Sequence, residues 1–311
     1  MMGTGPFAIP TLERLYKSEH VVVALVTRPV RTAAGRIQPP PSPMRAAAEA
    51  NETIVIDPES VNDAAARAKL AEFRPDLLVV CDYGQILSPD TLAVARLGGI
   101  NLHASLLPKY RGAAPINWAL YNGETETGVS VIHMTPQLDA GPVIAVAKTP
   151  VAADETAVEL EARLAALGAP LVIQSIAELA AGRAKPILQD YSLATRAPRL
   201  KKTDGQVRWN RLATAIRNQV RAMQPWPKTY TFWRRPQAEP LRLILERVSI
   251  VPNLTAAASG TVIEAVENRL VVATGDKGLA IERLQPAGKR VLTAQEFLRG
   301  YPVRVGERFG E

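Results

Sequence analysis

The chain has 311 residues, 47% hydrophobic and 22% charged. That is ordinary globular usage, and the length suits two cores better than one. The single cysteine, Cys81, excludes an internal disulfide. No apolar run approaches the ~20 residues of a bilayer span, and no basic segment followed by an apolar core opens the chain, so a cytoplasmic protein is expected. The net charge of +7 is unevenly placed: residues 1–205 carry 20 Lys and Arg against 21 Asp and Glu, and residues 206–311 carry 17 against 9. A neutral unit followed by a basic one points to a polyanionic partner, with nucleic acid the leading candidate.

In chain order, the first two-thirds alternate β-rich runs with helical stretches. Strands are expected at Val21–Thr27, Thr53–Ile56, Asp76–Cys81, Gly99–His103, Val129–His133 and Val143–Ala147. Helices are expected at Thr11–Ser18, Pro43–Glu49, Val61–Phe73 and Pro89–Ala95. Such alternation predicts a doubly wound, mostly parallel α/β sheet. Cys81 closes the apolar run from Leu77 and reads as a buried strand residue. The segment Arg28–Met44, with five prolines and three arginines, cannot be a regular element and reads as a long surface loop. Asp154 can cap a long helix starting near Glu155, with Val158, Leu160, Leu164, Leu167 and Leu171 on its apolar face.

Residues 184–207 lack periodicity and read as a linker ending in a basic cluster, Arg199, Lys201 and Lys202. A helix at about Leu212–Met223 follows. Short β-rich runs then come at Thr229–Trp233, Leu241–Val248, Gly260–Glu264, Arg269–Thr274 and Leu279–Leu284, a pattern that predicts a small β-barrel. The expected division is 1–183, an α/β unit; 184–207, a linker; and 208–311, a basic C-terminal β-barrel.

Of three histidines, His20 and His133 read as structural. His103 ends an apolar strand, and ligands of open α/β sheets bind beyond the carboxyl ends of strands. Asn101, two residues earlier, shares its face. An amide donor beside a titratable imidazole suits acyl transfer, one group stabilising an oxyanion and the other moving a proton. On spacing alone an Asn-x-His pair is weak evidence, and a purely structural pair is the favoured reading.

The run Asn101-Leu-His-Ala-Ser-Leu-Leu-Pro-Lys-Tyr-Arg-Gly112 resembles the signature of the folate-dependent formyltransferases. Gln137-Leu-Asp139-Ala-Gly-Pro142 resembles their second signature, and Cys81-Asp-Tyr-Gly-Gln-Ile-Leu87 the segment whose backbone lines a pteridine pocket. The resemblance implies a catalytic trio of Asn101, His103 and Asp139. It implies folate contacts from Ser105, Leu106, Leu107 and Pro108 and from Tyr83, Gly84 and Gln85, with 10-formyltetrahydrofolate as formyl donor. No metal is expected, because no Cys/His ligand cluster is present. The likeness extends through Ala34-Gly-Arg36, Arg111-Gly-Ala-Ala-Pro115, Gln224-Pro-Trp-Pro227 and Gln285-Pro-Ala-Gly-Lys289. That extent favours the branch of the family that formylates the amine of initiator methionyl-tRNA for translation initiation. Amino-sugar and purine-pathway members are the rivals. The branch carries an oligonucleotide-binding-like barrel at its C-terminus, and tRNA contacts are then expected from Arg36, Lys201, Lys202, Arg217 and Arg221. A monomer is expected. The family opens with a short apolar strand before Met-Gly-Thr, whereas this chain opens at Met1-Met2-Gly3-Thr4, so the expectation is either a start placed too far downstream or a sheet lacking its first strand.

Overall fold

The structure is a computed structural model that describes residues 1–30, 42–235, 238–253 and 256–310. Arg36, with most of the proline-rich segment that the sequence reads as a loop, lies outside the described residues. Two compact units emerge: residues 1–115, 126–150 and 159–198 form the first, and residues 116–125, 151–158 and 199–311 the second.

The first unit holds β1 (Leu25–Val26), β2 (Val55–Ile56), β3 (Leu78–Val80), β4 (Gly99–His103), β5 (Arg111–Gly112), β6 (Glu126–His133), β7 (Val143–Pro150) and β8 (Arg196–Ala197). Helices α1 (Ile9–Tyr16), α2 (Pro43–Ala50), α3 (Ala64–Glu72) and α4 (Pro89–Leu92) alternate with the early strands. Pairing is parallel for β1 with β2 and for β3 with β4. It becomes antiparallel for β4 with β6 and β6 with β7, so the later strands depart from parallel order. Met2 forms parallel bridges to both Val26 and Val80. Its N–H donates to Val79 O at 2.7 Å, and Cys81 N–H donates to Met2 O at 2.9 Å. Residues Met1–Gly3 therefore stand between β1 and β3, where the sequence predicted a missing strand.

The apolar run of β3 is buried along its length, as a central parallel strand requires. In β4 the period of two sorts the side chains: Ile100 and Leu102 are buried on one face, and Asn101 and His103 share the other. Helix α5 (Pro115–Tyr121) escaped the sequence reading. The long helix α6 (Ala157–Ala180) is long and apolar enough to cross a membrane by length and composition. Leu160, Leu164, Ala169 and Val172 on it are buried, however, and Glu159, Glu161, Arg163 and Glu178 interrupt it.

The residues read as a linker are divided between the units. Ile187 exchanges two 2.8 Å backbone bonds with Val143, and β8 pairs in parallel with β5, so residues 184–198 are built into the first unit.

The second unit contains α7 (Ala213–Ala222), β9 (Thr229–Arg234), β10 (Leu241–Val251), β11 (Val262–Val266), β12 (Arg269–Ala273), β13 (Gly278–Pro286), β14 (Leu292–Thr293), α8 (Ala294–Gly300) and β15 (Arg308–Phe309). The antiparallel order is β11-β12-β13-β10-β9-β15, with β14 on β13. A bridge from Thr261 to Arg308, beside a 2.8 Å bond from Val262 N–H to Glu307 O, joins the two ends. Closure removes the exposed edges that an open sheet would present. Ile216 and Val220 of α7 enter the core with Trp233, Leu243, Ile281 and Phe297. The five expected strands are present, and β14 and β15, two residues each, are too short to show a period.

Candidate active site

Strand β4 delivers Asn101 and His103 to the carboxyl end of the sheet. His103 is buried, its side chain 6% exposed. Its Nε2 lies 2.9 Å from Tyr110 O. A carbonyl only accepts, so Nε2 carries the proton and Nδ1 is the atom left to gain or lose one. Nδ1 faces Asp139 Oδ2 at 3.6 Å, longer than a good hydrogen bond. Asp139, its side chain 10% exposed, accepts at Oδ2 from Gly112 N–H at 2.9 Å and at Oδ1 from Asn101 Nδ2 at 3.4 Å. The three predicted residues therefore meet, although Asp139 is separated from the others by more than thirty positions. Asp139 sits in the left-handed region at φ 48°, a conformation uncommon outside glycine.

The loop after β4 is held from several sides. Ser105, fully buried, donates to Lys109 O at 2.6 Å. Ser130 on β6 donates to Ser105 O at 2.7 Å and accepts from Leu107 N–H at 3.1 Å. Leu106, Leu107 and Pro108 remain half-buried, an apolar surface directly after His103 that suits a flat ring system. The Leu107-Pro108 bond is cis.

Two glycines of the signatures are required by close approach. Gly112 takes φ 130°, and a Cβ there would lie 2.4 Å from Ala197 O; a Cβ on Gly141 would lie 1.7 Å from His133 O. Neither position has room for a side chain.

Residues 187–197 supply a layer that the sequence reading missed. Tyr110 N–H donates to Thr195 Oγ1 at 2.8 Å, and Arg111 N–H to Thr195 O at 2.9 Å. Gln189 Nε2 donates to Asp139 O at 2.9 Å and to Gly141 O at 2.7 Å. Its Oε1 accepts from Arg111 Nη2 at 2.6 Å and Nε at 3.1 Å. The Arg111 guanidinium in turn lies 4.7 Å from the Tyr191 ring centroid. No periodicity marks this stretch; the one available signal was a glutamine directly following Ile187-Leu188.

The second predicted folate segment presents mainly backbone. Tyr83 is buried in the apolar cluster with Val26, Val61 and Leu87, so its ring is unavailable, and burial pushes its hydroxyl up to about 12. The segment turns through positive φ at Asp82 and Gly84. Gly84 O accepts from Arg28 Nη2 at 2.5 Å. Gln85 Oε1 accepts from Val61 N–H at 2.9 Å, which commits that side chain to its own unit. Burial raises the Asp82 carboxyl above its usual range, with the Arg28 charge opposing. Among the described residues, no group of three or more His, Cys, Asp or Glu is placed to hold a metal ion.

The basic residues divide. Lys201 and Lys202 are exposed. Arg221 is 8% exposed, and its Nη1 donates to Ala152 O at 3.1 Å. Half-buried Arg217 donates from Nη2 to Ala153 O at 2.8 Å. The face that the two share on α7 is thus turned to the 152–155 segment of its own unit. Each guanidinium therefore spends part of its donor set on a backbone carbonyl of that segment, where the sequence expected both to face phosphate.

Comparison with known proteins adds to this geometry. Residues 1–176 match the family described as formyl transferase, and residues 199–302 match the formyl transferase C-terminal domain. A methionyl-tRNA formyltransferase of Rhodopirellula baltica is 42% identical, covering 99% of this chain and 95% of that protein. Another from Halalkalibacterium halodurans is 39% identical, covering 96% and 93%. The crystal structure of an N-formyltransferase from Helicobacter canadensis, with folinic acid and dTDP-3-aminofucose, superposes with a TM-score of 0.65 over 90% of this chain and 97% of that one. Its identity is 18%, so that likeness is one of fold. Both units match, and so do relatives along nearly the whole length: the chain belongs to the formyl transferase family.

Proposed function

We propose that this chain transfers a formyl group from 10-formyltetrahydrofolate to the α-amine of initiator methionyl-tRNA, in the cytoplasm, for translation initiation. The convergence of Asn101, His103 and Asp139 at the end of β4 carries the reaction. The choice of acceptor rests on the near-full-length relatives at about 40% identity, against 18% for the amino-sugar structure.

The folate supplies the formyl carbon, bound beside the apolar Leu106–Pro108 surface and the backbone of Tyr83–Gln85. The amine attacks that carbon, and negative charge builds on the formyl oxygen. Asn101 Nδ2 is the side-chain donor that stabilises it; its present bond to Asp139 is long at 3.4 Å and easily exchanged. The attacking amine must shed a proton and the leaving nitrogen must gain one. His103 Nδ1 moves that proton, since Nε2 is committed to Tyr110 O. The Asp139 carboxylate stabilises the imidazolium while it exists and fixes the ring. Exposed Lys201 and Lys202 contribute to phosphate contacts in the second unit, and Arg36 of the proline-rich segment does so as well.

The test compares three acceptors at saturating formyl-folate: initiator methionyl-tRNA, an amino-sugar nucleotide and glycinamide ribonucleotide. A specificity constant at least 100-fold higher for the tRNA is expected. Preference for either small acceptor would overturn the assignment.

A further inference from the structure

Asp139 occupies a position that its own backbone disfavours. A non-glycine residue at φ 48° persists only where its surroundings hold it. Two contacts do so. Gly112 N–H holds the carboxylate, and Gln189 Nε2 holds the Asp139 carbonyl together with that of Gly141. Gln189 is buried, 6% exposed, and both ends of its amide are used. The oxygen accepts from Arg111, the residue preceding Gly112, so one side chain links the loop carrying Asp139 to the strand that fixes the carboxylate. The Tyr191 ring against the Arg111 guanidinium steadies the far side.

We infer that Gln189 is a positioning residue for the reaction, acting through Asp139 rather than touching substrate. This rests on the catalytic reading of Asp139. Only an amide meets the chemistry at this point, because two carbonyls need donors and a guanidinium needs an acceptor. Glutamate has the same shape and keeps the Arg111 contact, but it turns an oxygen toward both carbonyl oxygens. That repulsion displaces Asp139 while leaving the folate loop and the second unit untouched. A displacement of about 1 Å at a catalytic group can cost ~100-fold.

Single-turnover formyl transfer to methionyl-tRNA is measured for Gln189→Glu, Asp139→Asn and the double variant, with KM for tRNA, folate affinity and unfolding midpoint. Gln189→Glu is expected to lower the transfer rate ~10- to 100-fold. Its KM and folate affinity should stay within about threefold of wild type, a split that general destabilisation would not produce. In the Asp139→Asn background the same change should cost less than about threefold, because residues acting as a unit are not additive. A wild-type rate for Gln189→Glu, or an undiminished loss in the double variant, overturns the inference. Gln189→Leu, uncharged and lacking all three bonds, is measured in the same two backgrounds and is decisive if the glutamate variant does not fold. Near-wild-type turnover of Asp139→Asn would instead refute the catalytic reading of Asp139 itself.

Discussion

Asp139→Asn isolates the electrostatic part of the site. The asparagine keeps the size of the side chain, and its carbonyl oxygen can still accept from Gly112 N–H. Its NH2 would then face Asn101 Nδ2, donor against donor, where a 3.4 Å bond now stands. The larger loss is the charge. At the 3.6 Å between Asp139 Oδ2 and His103 Nδ1, a unit pair at an effective dielectric constant near 20 interacts by about 4–5 kcal/mol. Both side chains are nearly buried, so screening is weak, but relaxation of the loop and remaining dipoles return part of this. A net loss of about 2–4 kcal/mol for a transition state bearing imidazolium corresponds to ~30- to 1000-fold in rate. Rapid-quench single-turnover transfer to methionyl-tRNA, with folate saturating, reads that loss directly. Folate affinity should be unchanged within about threefold, because the carboxylate is engaged by Asn101, His103 and Gly112. A single-turnover rate within threefold of wild type would refute the claim that this carboxylate stabilises the charged histidine.

Asn101→Ala and His103→Ala should each reduce transfer ~100- to 1000-fold with folate binding retained; a variant that keeps near-wild-type single-turnover rates loses its assigned role. Gly112→Ala places a Cβ 2.4 Å from Ala197 O at φ 130°, so it should part β5 from β8, lower the melting temperature and depress transfer; equal stability by calorimetry would contradict that close approach. Glu161 has its carboxyl raised above its ordinary value of 4.5, first by burial and then by the Asp82 charge. Its proton contributes stability that is complete below the ordinary value and lost as pH rises through the raised one. Glu161→Gln should therefore raise the melting temperature at pH 7–8, with the gain fading toward pH 4; a gain that persists at pH 4 would show another origin. Lys201→Glu with Lys202→Glu should weaken tRNA binding and flatten its salt dependence while folate affinity holds, since each lost phosphate contact lowers the salt slope by about one. Unchanged affinity across a salt titration would remove these lysines from the interface.

Much was legible in the linear chain because it depends on short-range periods. The alternation of apolar runs with helical stretches gave the α/β class, and the turn-bounded β runs after residue 228 gave the barrel. Strand period two placed Asn101 beside His103 on one face, because successive side chains of any strand point to opposite sides. Asp139 could be attached to that pair only through its signature, since nothing in spacing says that a loop after β6 returns to the end of β4. Arg217 and Arg221 show the opposite case. Their i,i+4 spacing correctly put both on one face of α7, but spacing cannot say whether that face meets water or carbonyls. The structure gave it to Ala152 and Ala153.

What sequence alone determined, then, is local: element types, the shared face of Asn101 and His103, and the concentration of positive charge after residue 205. Tertiary structure decided which residues complete the site. Gln189 and Thr195 serve the trio from a stretch with no pattern, the Tyr110 carbonyl holds the His103 ring from within the signature run, and Met1–Gly3 bridges two strands despite being too short to read as one. Such contacts satisfy buried backbone donors and acceptors. That requirement arises only once distant segments are packed together, so no periodicity in the chain records it.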